Sequence, residues 1–255
     1  MFKTIFTRLK QKFRTLPFPE KEPQLVDKFQ GCPEINVKKC NLCQECCNIC
    51  PTAAISHDIK IDLGKCIFCQ KCTKICPNQT IQFSKDYRLA VNKREDLILS
   101  DKQLKKATVL GQAIKKILGR SLCLRQVSAG GCNGCELDIN VLSTIVFDLS
   151  RFGIQFTASP RHADGLVITG PITCNMKEAL LQTYEAISEP KIVIAVGACA
   201  ISGGIYADHE EVLNGADKLL PVDLFIPGCP PHPITILDGL LRLINKTHTS
   251  LNDVE

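Results

Sequence analysis

Two copies of one twelve-residue pattern, CNLCQECCNICP at 40–51 and CIFCQKCTKICP at 66–77, lie 26 residues apart and constrain the first third of this chain more than any other feature. Each reads C-x2-C-x2-C-x3-C-P, the spacing at which three thiolates close on one cubane iron–sulfur cluster while the fourth reaches the other cluster of the pair. On that rule Cys40, Cys43, Cys46 and Cys76 hold one 4Fe-4S cluster, and Cys66, Cys69, Cys72 and Cys50 hold a second. The crossed fourth ligands staple the two halves together. Zinc and disulfides are the competing assignments, but eight thiols at this spacing, each set closed by Pro51 or Pro77, would make a poor zinc site.

The chain has 255 residues, 45% of them apolar, which gives room for a small domain and a medium one with a packed core. Sixteen cysteines without a signal peptide, at ligand spacing, point to a reducing compartment, the cytoplasm, rather than to a secreted disulfide scaffold. No twin-arginine pair opens the sequence and no run of 18 apolar residues interrupts it, so no span across a membrane is expected. The net charge of +5 is local: 1–15 carry Lys3, Arg8, Lys10, Lys12 and Arg14 and no acid. Between those charges Phe2, Ile5, Phe6, Leu9 and Phe13 recur at helical spacing, predicting a basic amphipathic helix that lies on a membrane, on a partner or on its own domain. Pro17, Pro19 and Pro23 then impose an extended segment.

Residues 78–120 connect two differently built halves. Ser100 is placed to cap a helix with Leu104, Ala107, Leu110, Ile114 and Ile117 on one face and Gly119 as its stop. Beyond it, strand-like runs at 122–127, 154–157, 165–169, 192–196 and 222–226 alternate with helical stretches at 136–152, 176–187 and 234–244. The alternation predicts an α/β fold, a doubly wound and mostly parallel sheet covered on both faces, joined to an N-terminal α+β domain carrying the two cluster motifs.

Ligand sites in such sheets lie beyond the carboxyl ends of the strands. The remaining cysteine motifs fall there: GGCNGCE at 130–136 follows the first strand, GACAISGG at 197–204 the fourth and PGCPP at 227–231 the fifth. Cys132, Cys135, Cys199 and Cys229 are therefore expected to converge on a third 4Fe-4S cluster, flanked by glycines that let the backbone approach the inorganic core and donate amides to its sulfurs. A four-cysteine zinc site is the alternative that the ligand set alone leaves open.

The order of these motifs carries a resemblance. Residues 121–245 resemble the small subunit of the membrane-bound, complex-I-related NiFe hydrogenases of the formate hydrogenlyase type through GGCNGCE, RFGI at 151–154, SPRHAD at 159–164, GACAISGG, GGIYAD and VDLFIPGCPP. Residues 1–100 resemble the two-cluster ferredoxin-like subunit of the same assemblies through the basic first helix, PFPEKEP, DKFQG, both cluster motifs and DYRLAVNKREDL at 86–97. The chain looks like a fusion of the two, stopping at Glu255 without the long tail of some family members. The resemblance implies a flavodoxin-like second domain and four segments: 1–30, the basic helix and extended segment; 31–85, the two-cluster ferredoxin domain; 86–120, a linker with a helix; and 121–255, the small-subunit-like domain.

It further implies an electron-transfer subunit with three 4Fe-4S clusters, the third proximal to a partner's active site. The partners implied are a NiFe large subunit, membrane ion-translocating subunits and a further iron–sulfur or donor subunit, with no nucleic acid, and the place is the inner face of the cell membrane. The cluster-bearing subunit of respiratory complex I shares the last two motifs but opens its site with adjacent cysteines, whereas Asn133 and Gly134 separate Cys132 from Cys135 here. A quinone-reducing complex and a ferredoxin fused to a redox sensor or scaffold are the rival readings.

Glu136 follows a ligand cysteine at a helix start, where it is either a proton relay toward the partner or a helix-terminal carboxylate. Cys32, Cys47, Cys123 and Cys174 remain after twelve thiols are assigned, and Cys174 in GPITCNM, also after a strand, is the one able to displace a member of the third set. His162 and His232 stay off the ligand list. No GxGxxG follows the first strand and no nucleophile–base pair is evident.

Overall fold

The repeated cysteine motif folds into a repeated shape. The computed structural model describes residues 2–100, 104–107 and 121–244. A free-standing helix α1 (Phe2–Gln11) comes first, with none of its residues buried. Four short strands follow, β1 (Pro33–Ile35), β2 (Ile61–Asp62), β3 (Ile81–Phe83) and β4 (Ile98–Leu99), paired antiparallel as β1 with β3 and β2 with β4. Each cysteine motif contributes one short helix, α2 (Glu45–Asn48) and α3 (Lys71–Ile75), and these two pack on each other. Ile55, Ile59, Ile61, Leu63 and Ile81 fill the space beneath them.

The second half is a five-stranded, wholly parallel sheet: β5 (Leu122–Ser128), β6 (Ile154–Phe156), β7 (Gly165–Thr169), β8 (Ile192–Val196) and β9 (Leu224–Ile226), in the order β6-β5-β7-β8-β9. This is the flavodoxin-like order, with its reversal between β5 and β7. Every residue of β7, β8 and β9 is buried, as expected of strands covered on both faces. The covering helices are α4 (Gly134–Val141), α5 (Cys174–Ala186), α6 (Ala198–Ser202) and α7 (Pro233–Leu243).

The structure departs from the sequence expectation at three places. The helix expected over 136–152 ends at Val141, where Thr144 donates both its N–H and its hydroxyl to the Val141 carbonyl, at 3.0 and 2.7 Å, in a tight turn. The chain then loops and resumes as a 3-10 turn at Leu149–Phe152. The last strand begins at Leu224 rather than 222. The helix expected after Ser100 lies mostly outside the described residues. Within 104–107 the chain is not helical, and Ala107 N–H donates to the Ala90 carbonyl at 2.7 Å.

The two halves are joined through backbone. Val91 and Phe225 exchange N–H···O bonds of 3.0 and 2.8 Å, so the segment after the ferredoxin domain adds a residue to the β9 edge of the sheet. Asn92 Nδ2 donates to the Asp223 carbonyl, and Ser202 Oγ to the Gly64 carbonyl at 2.8 Å. The packing implies a prediction: Leu124, fully buried in β5, becomes Ala at a cost of about 2–5 kcal/mol, read as a lowered midpoint in chemical denaturation.

Candidate metal centres

In the two N-terminal motifs the backbone curls in the same unusual way at positions 26 apart. Leu42 and Phe68 stand at φ 59° and 55°, Gln44 and Gln70 at 62° and 60°, and Ala53 and Gln79 at 46° and 49°, all in the left-handed region that non-glycine residues rarely occupy. The curl turns amides toward sulfur. Leu42 N–H donates to Cys40 Sγ and Phe68 N–H to Cys66 Sγ, both at 3.4 Å. Ala54 N–H donates to Cys50 Sγ at 3.3 Å and Thr80 N–H to Cys76 Sγ at 3.4 Å. Such strain persists where it organises a site.

Cys50, Cys66, Cys69 and Cys72 line one cavity walled by Ala54, Ile55, Ile61 and Phe83. Burial pushes the Cys66 thiol up to about 12, and neighbouring Cys72, Cys50 and Cys69 add to the shift. In the other set, burial and the adjacent Cys47 and Cys40 push Cys46 up to about 12. Cys76 moves the other way: burial opposes its charge, but hydrogen bonds from Thr80, Asn78 and Gln79 outweigh that and hold it below an ordinary thiol. Cys47 Sγ instead donates to the Ser56 carbonyl at 3.3 Å.

The third set is built by topology. Cys132 and Cys135 follow β5, Cys199 follows β8 and Cys229 follows β9, so three loops meet at the carboxyl edge of the sheet. Burial raises the Cys135 thiol, and the charges of Cys199, Glu136, Cys229 and Cys132 raise it further. Burial with Cys229 and Cys132 brings Cys199 to about 11, and burial with Cys132 raises Cys229. The approach is close enough to require glycine at two points. A Cβ on Gly197, at φ +90°, would stand 2.5 Å from Cys135 Sγ, and one on Gly204, at φ +58°, 2.8 Å from Cys199 Sγ.

The donor chemistry fits iron–sulfur clusters. Among the described residues no three His, Cys, Asp or Glu side chains close on a single metal ion. Cys50, Cys66, Cys69 and Cys72 instead line a shared cavity, as a multi-atom cluster requires. A cluster binds thiolates, so its binding releases the protons that burial holds on these thiols.

Glu136 is 8% exposed, and its Oε1 accepts hydrogen bonds from Ser128 Oγ at 2.5 Å and Thr169 Oγ1 at 2.6 Å. Burial opposes its charge, but those donors and its own backbone amide hold the carboxyl below its ordinary range. The carboxylate thus ties α4 to the ends of β5 and β7. Ser128 and Thr169 belong to no motif; their only signal in the sequence is a hydroxyl at the end of two apolar strands. Of the remaining thiols, Cys32 is pushed up to about 12, chiefly by burial and then by Asp86, and Cys123 Sγ accepts from Gln155 Nε2. Cys174 Sγ faces the Glu210 carbonyl at 3.7 Å. His232 caps α7, its Nδ1 accepting from Ile234 N–H.

Comparison with known proteins follows the same division. The family described as NADH ubiquinone oxidoreductase, 20 Kd subunit, matches residues 132–243, and a 4Fe-4S binding domain matches 59–82. A probable membrane-bound hydrogenase subunit of Pyrococcus furiosus is 42% identical over 131 residues, 51% of this chain and 78% of its own length. The chain belongs to this family. Formate hydrogenlyase subunit 7 of Escherichia coli is 46% identical over 133 residues, 52% of each chain. An NADH-quinone oxidoreductase subunit of Heliobacterium modesticaldum is 43% identical over 119 residues, 46% of this chain and 68% of its own length. The protein is therefore an electron-transfer subunit of an oxidoreductase of the complex-I-related hydrogenase or NADH-quinone oxidoreductase kind, with 4Fe-4S binding in its first half.

Paired substitutions test the ligand assignment. Cys46→Ser and Cys199→Ser are each expected to remove about four irons, one cluster's worth, from the reconstituted chain. Cys47→Ser and Cys174→Ser are expected to leave the iron count unchanged; colorimetric iron analysis with electron paramagnetic resonance reads both pairs.

Proposed function

We propose that this chain carries three 4Fe-4S clusters and passes electrons between a donor and the NiFe site of a large partner subunit, within a membrane-bound hydrogenase that reduces protons or oxidises hydrogen. In this reading Cys40, Cys43, Cys46 and Cys76 hold the first cluster, Cys50, Cys66, Cys69 and Cys72 the second, and Cys132, Cys135, Cys199 and Cys229 the third. Bound clusters would supply one-electron steps; the protein fixes their positions, insulates them and tunes their potential through the N–H···S bonds. Segment 1–30 attaches the chain to its assembly, 31–85 carries two clusters, 86–120 connects, and 121–255 carries the third.

The observation that carries the choice of partner is the opening of the third set. Asn133, in the left-handed region at φ 68°, turns the chain into α4 and sets Cys132 and Cys135 apart by two residues, where the complex-I branch has adjacent cysteines. Around this set Leu137, Ile205 and Tyr206 are 57%, 56% and 42% exposed, an apolar surface that suits burial under a large subunit. The quinone-reducing reading rests on the comparable identity to the NADH-quinone oxidoreductase subunit. Among the described residues no helix is long and apolar enough to cross a membrane. A peripheral place on the inner face of the cell membrane, beside ion-translocating subunits, rests on the likeness to the membrane-bound hydrogenase subunit.

The deciding experiment is isolation of the intact complex from cells, with nickel analysis and hydrogen-dependent dye reduction. Stoichiometric nickel with hydrogen turnover is expected; a nickel-free complex that reduces quinone overturns the reading. For Glu136 the two roles are proton relay and anchor, and its hydroxyl donors support the anchor. Glu136→Gln separates them within the complex: iron retained with turnover lowered about 100-fold is the outcome of a relay, and iron retained with near-native turnover is that of an anchor.

A further inference from the structure

Among the described residues three buried side-chain polar atoms find no oxygen or nitrogen partner, and two of them are threonine hydroxyls of the second cysteine motif, Thr73 Oγ1 and Thr80 Oγ1. A buried hydroxyl left in that state carries its full desolvation penalty, and valine would fill the same space without it. What the two hydroxyls have beside them is sulfur. Thr73 follows Cys72 directly, and Thr80, 4% exposed, donates its N–H to Cys76 Sγ at 3.4 Å. Burial raises the Cys72 thiol, and the Thr73 hydroxyl is the foremost group pulling it back; at Cys76 the Thr80 hydroxyl leads the donors that outweigh burial.

The first motif, 26 residues earlier, lacks both hydroxyls at the matching places. Ala54 stands where the second copy has Thr80, and its N–H meets Cys50 Sγ at 3.3 Å, so the amide is matched and the hydroxyl is not. Cys47 stands where the second copy has Thr73, and its Sγ donates to the Ser56 carbonyl. Thr52 Oγ1 lies 3.9 Å from Cys50 Sγ, but on a half-exposed residue where water competes for it. Because the fourth ligands cross, the two buried hydroxyls come from one copy and yet serve different cysteine sets.

Reducing a cluster by one electron adds negative charge to its sulfurs. An O–H aimed at a ligand sulfur therefore stabilises the reduced form more than the oxidised one, and does so more strongly under cover than in water. We propose that the two hydroxyls are held for cluster sulfur: Thr80 donates to the Cys76 thiolate of the first cluster and Thr73 to the Cys72 thiolate of the second, and each makes its own cluster easier to reduce. The inference rests on the ligand assignment above, which iron analysis tests by itself.

The test is a redox titration of the full reconstituted chain followed by electron paramagnetic resonance, with iron measured on every sample. Thr80→Val is expected to lower the midpoint of one ferredoxin-domain cluster and Thr73→Val that of the other. Each shift is a roughly tenfold loss in the reduction equilibrium, about 59 mV for one electron, with the third cluster as the unmoved control. Thr80→Ser, which keeps the hydroxyl, is expected to hold the wild-type midpoint. Should valine disturb folding, Thr80→Ala, the residue that the first copy carries at this place, is read by the same criterion. Full iron with both midpoints unmoved overturns the proposal, as does a shift of both clusters by either single variant. A wild-type chain that takes up iron for fewer than three clusters overturns the ligand assignment instead.

Discussion

Five strands that all run the same way deliver five loops to one edge, and the third cysteine set depends on that direction. Reversing β5, β8 or β9 would carry Cys135, Cys199 or Cys229 to the opposite end of the sheet. The hydrogen-bond registers of β5 with β7, β7 with β8 and β8 with β9 therefore do more than build a core. They bring together thiols nearly a hundred residues apart, at the crevice where doubly wound sheets hold ligands. Tight approach follows, and glycines 197 and 204 stand where a side chain would strike sulfur.

The ferredoxin half solves the same problem by symmetry. Its two motifs are too short to bury a core alone, so they share one, with α2 on α3 and isoleucines and leucines beneath. The matched left-handed residues aim amides at the sulfurs in both copies. Gathering thiols under cover opposes their ionisation, and burial together with their mutual repulsion as anions shifts Cys46, Cys66 and Cys135 upward. A cluster binds the thiolate form, so its positive iron supplies the countercharge that these sites otherwise lack, coupling metal binding to proton release.

Between the halves, specific polar contacts set the fit. The Val91–Phe225 bridge and the Ser202 hydroxyl on the Gly64 carbonyl set how one half meets the other. Phe68 in the second motif and Gly228, Pro230 and His232 beside Cys229 line one cavity of about 220 Å³. Glu136, bound by Ser128 and Thr169, fixes α4 against the sheet within this arrangement, so the cysteine before it is held by a buried carboxylate as well as by its loop.

Much was legible in the sequence because its signals are local and covalently spaced. The C-x2-C-x2-C-x3-C-P repeats, the apolar runs that became β7 and β8 residue for residue, and the motif order carrying the family resemblance need no knowledge of distant contacts. What tertiary structure decided depends on partners far along the chain. The task of Glu136 came from two strand ends, and the setting of Ile145 and Val146 from a loop clasped by Leu16 and Arg151. An apolar residue in sequence reads the same whether it faces the core or solvent; only the packed neighbours, brought in by the fold, settle which.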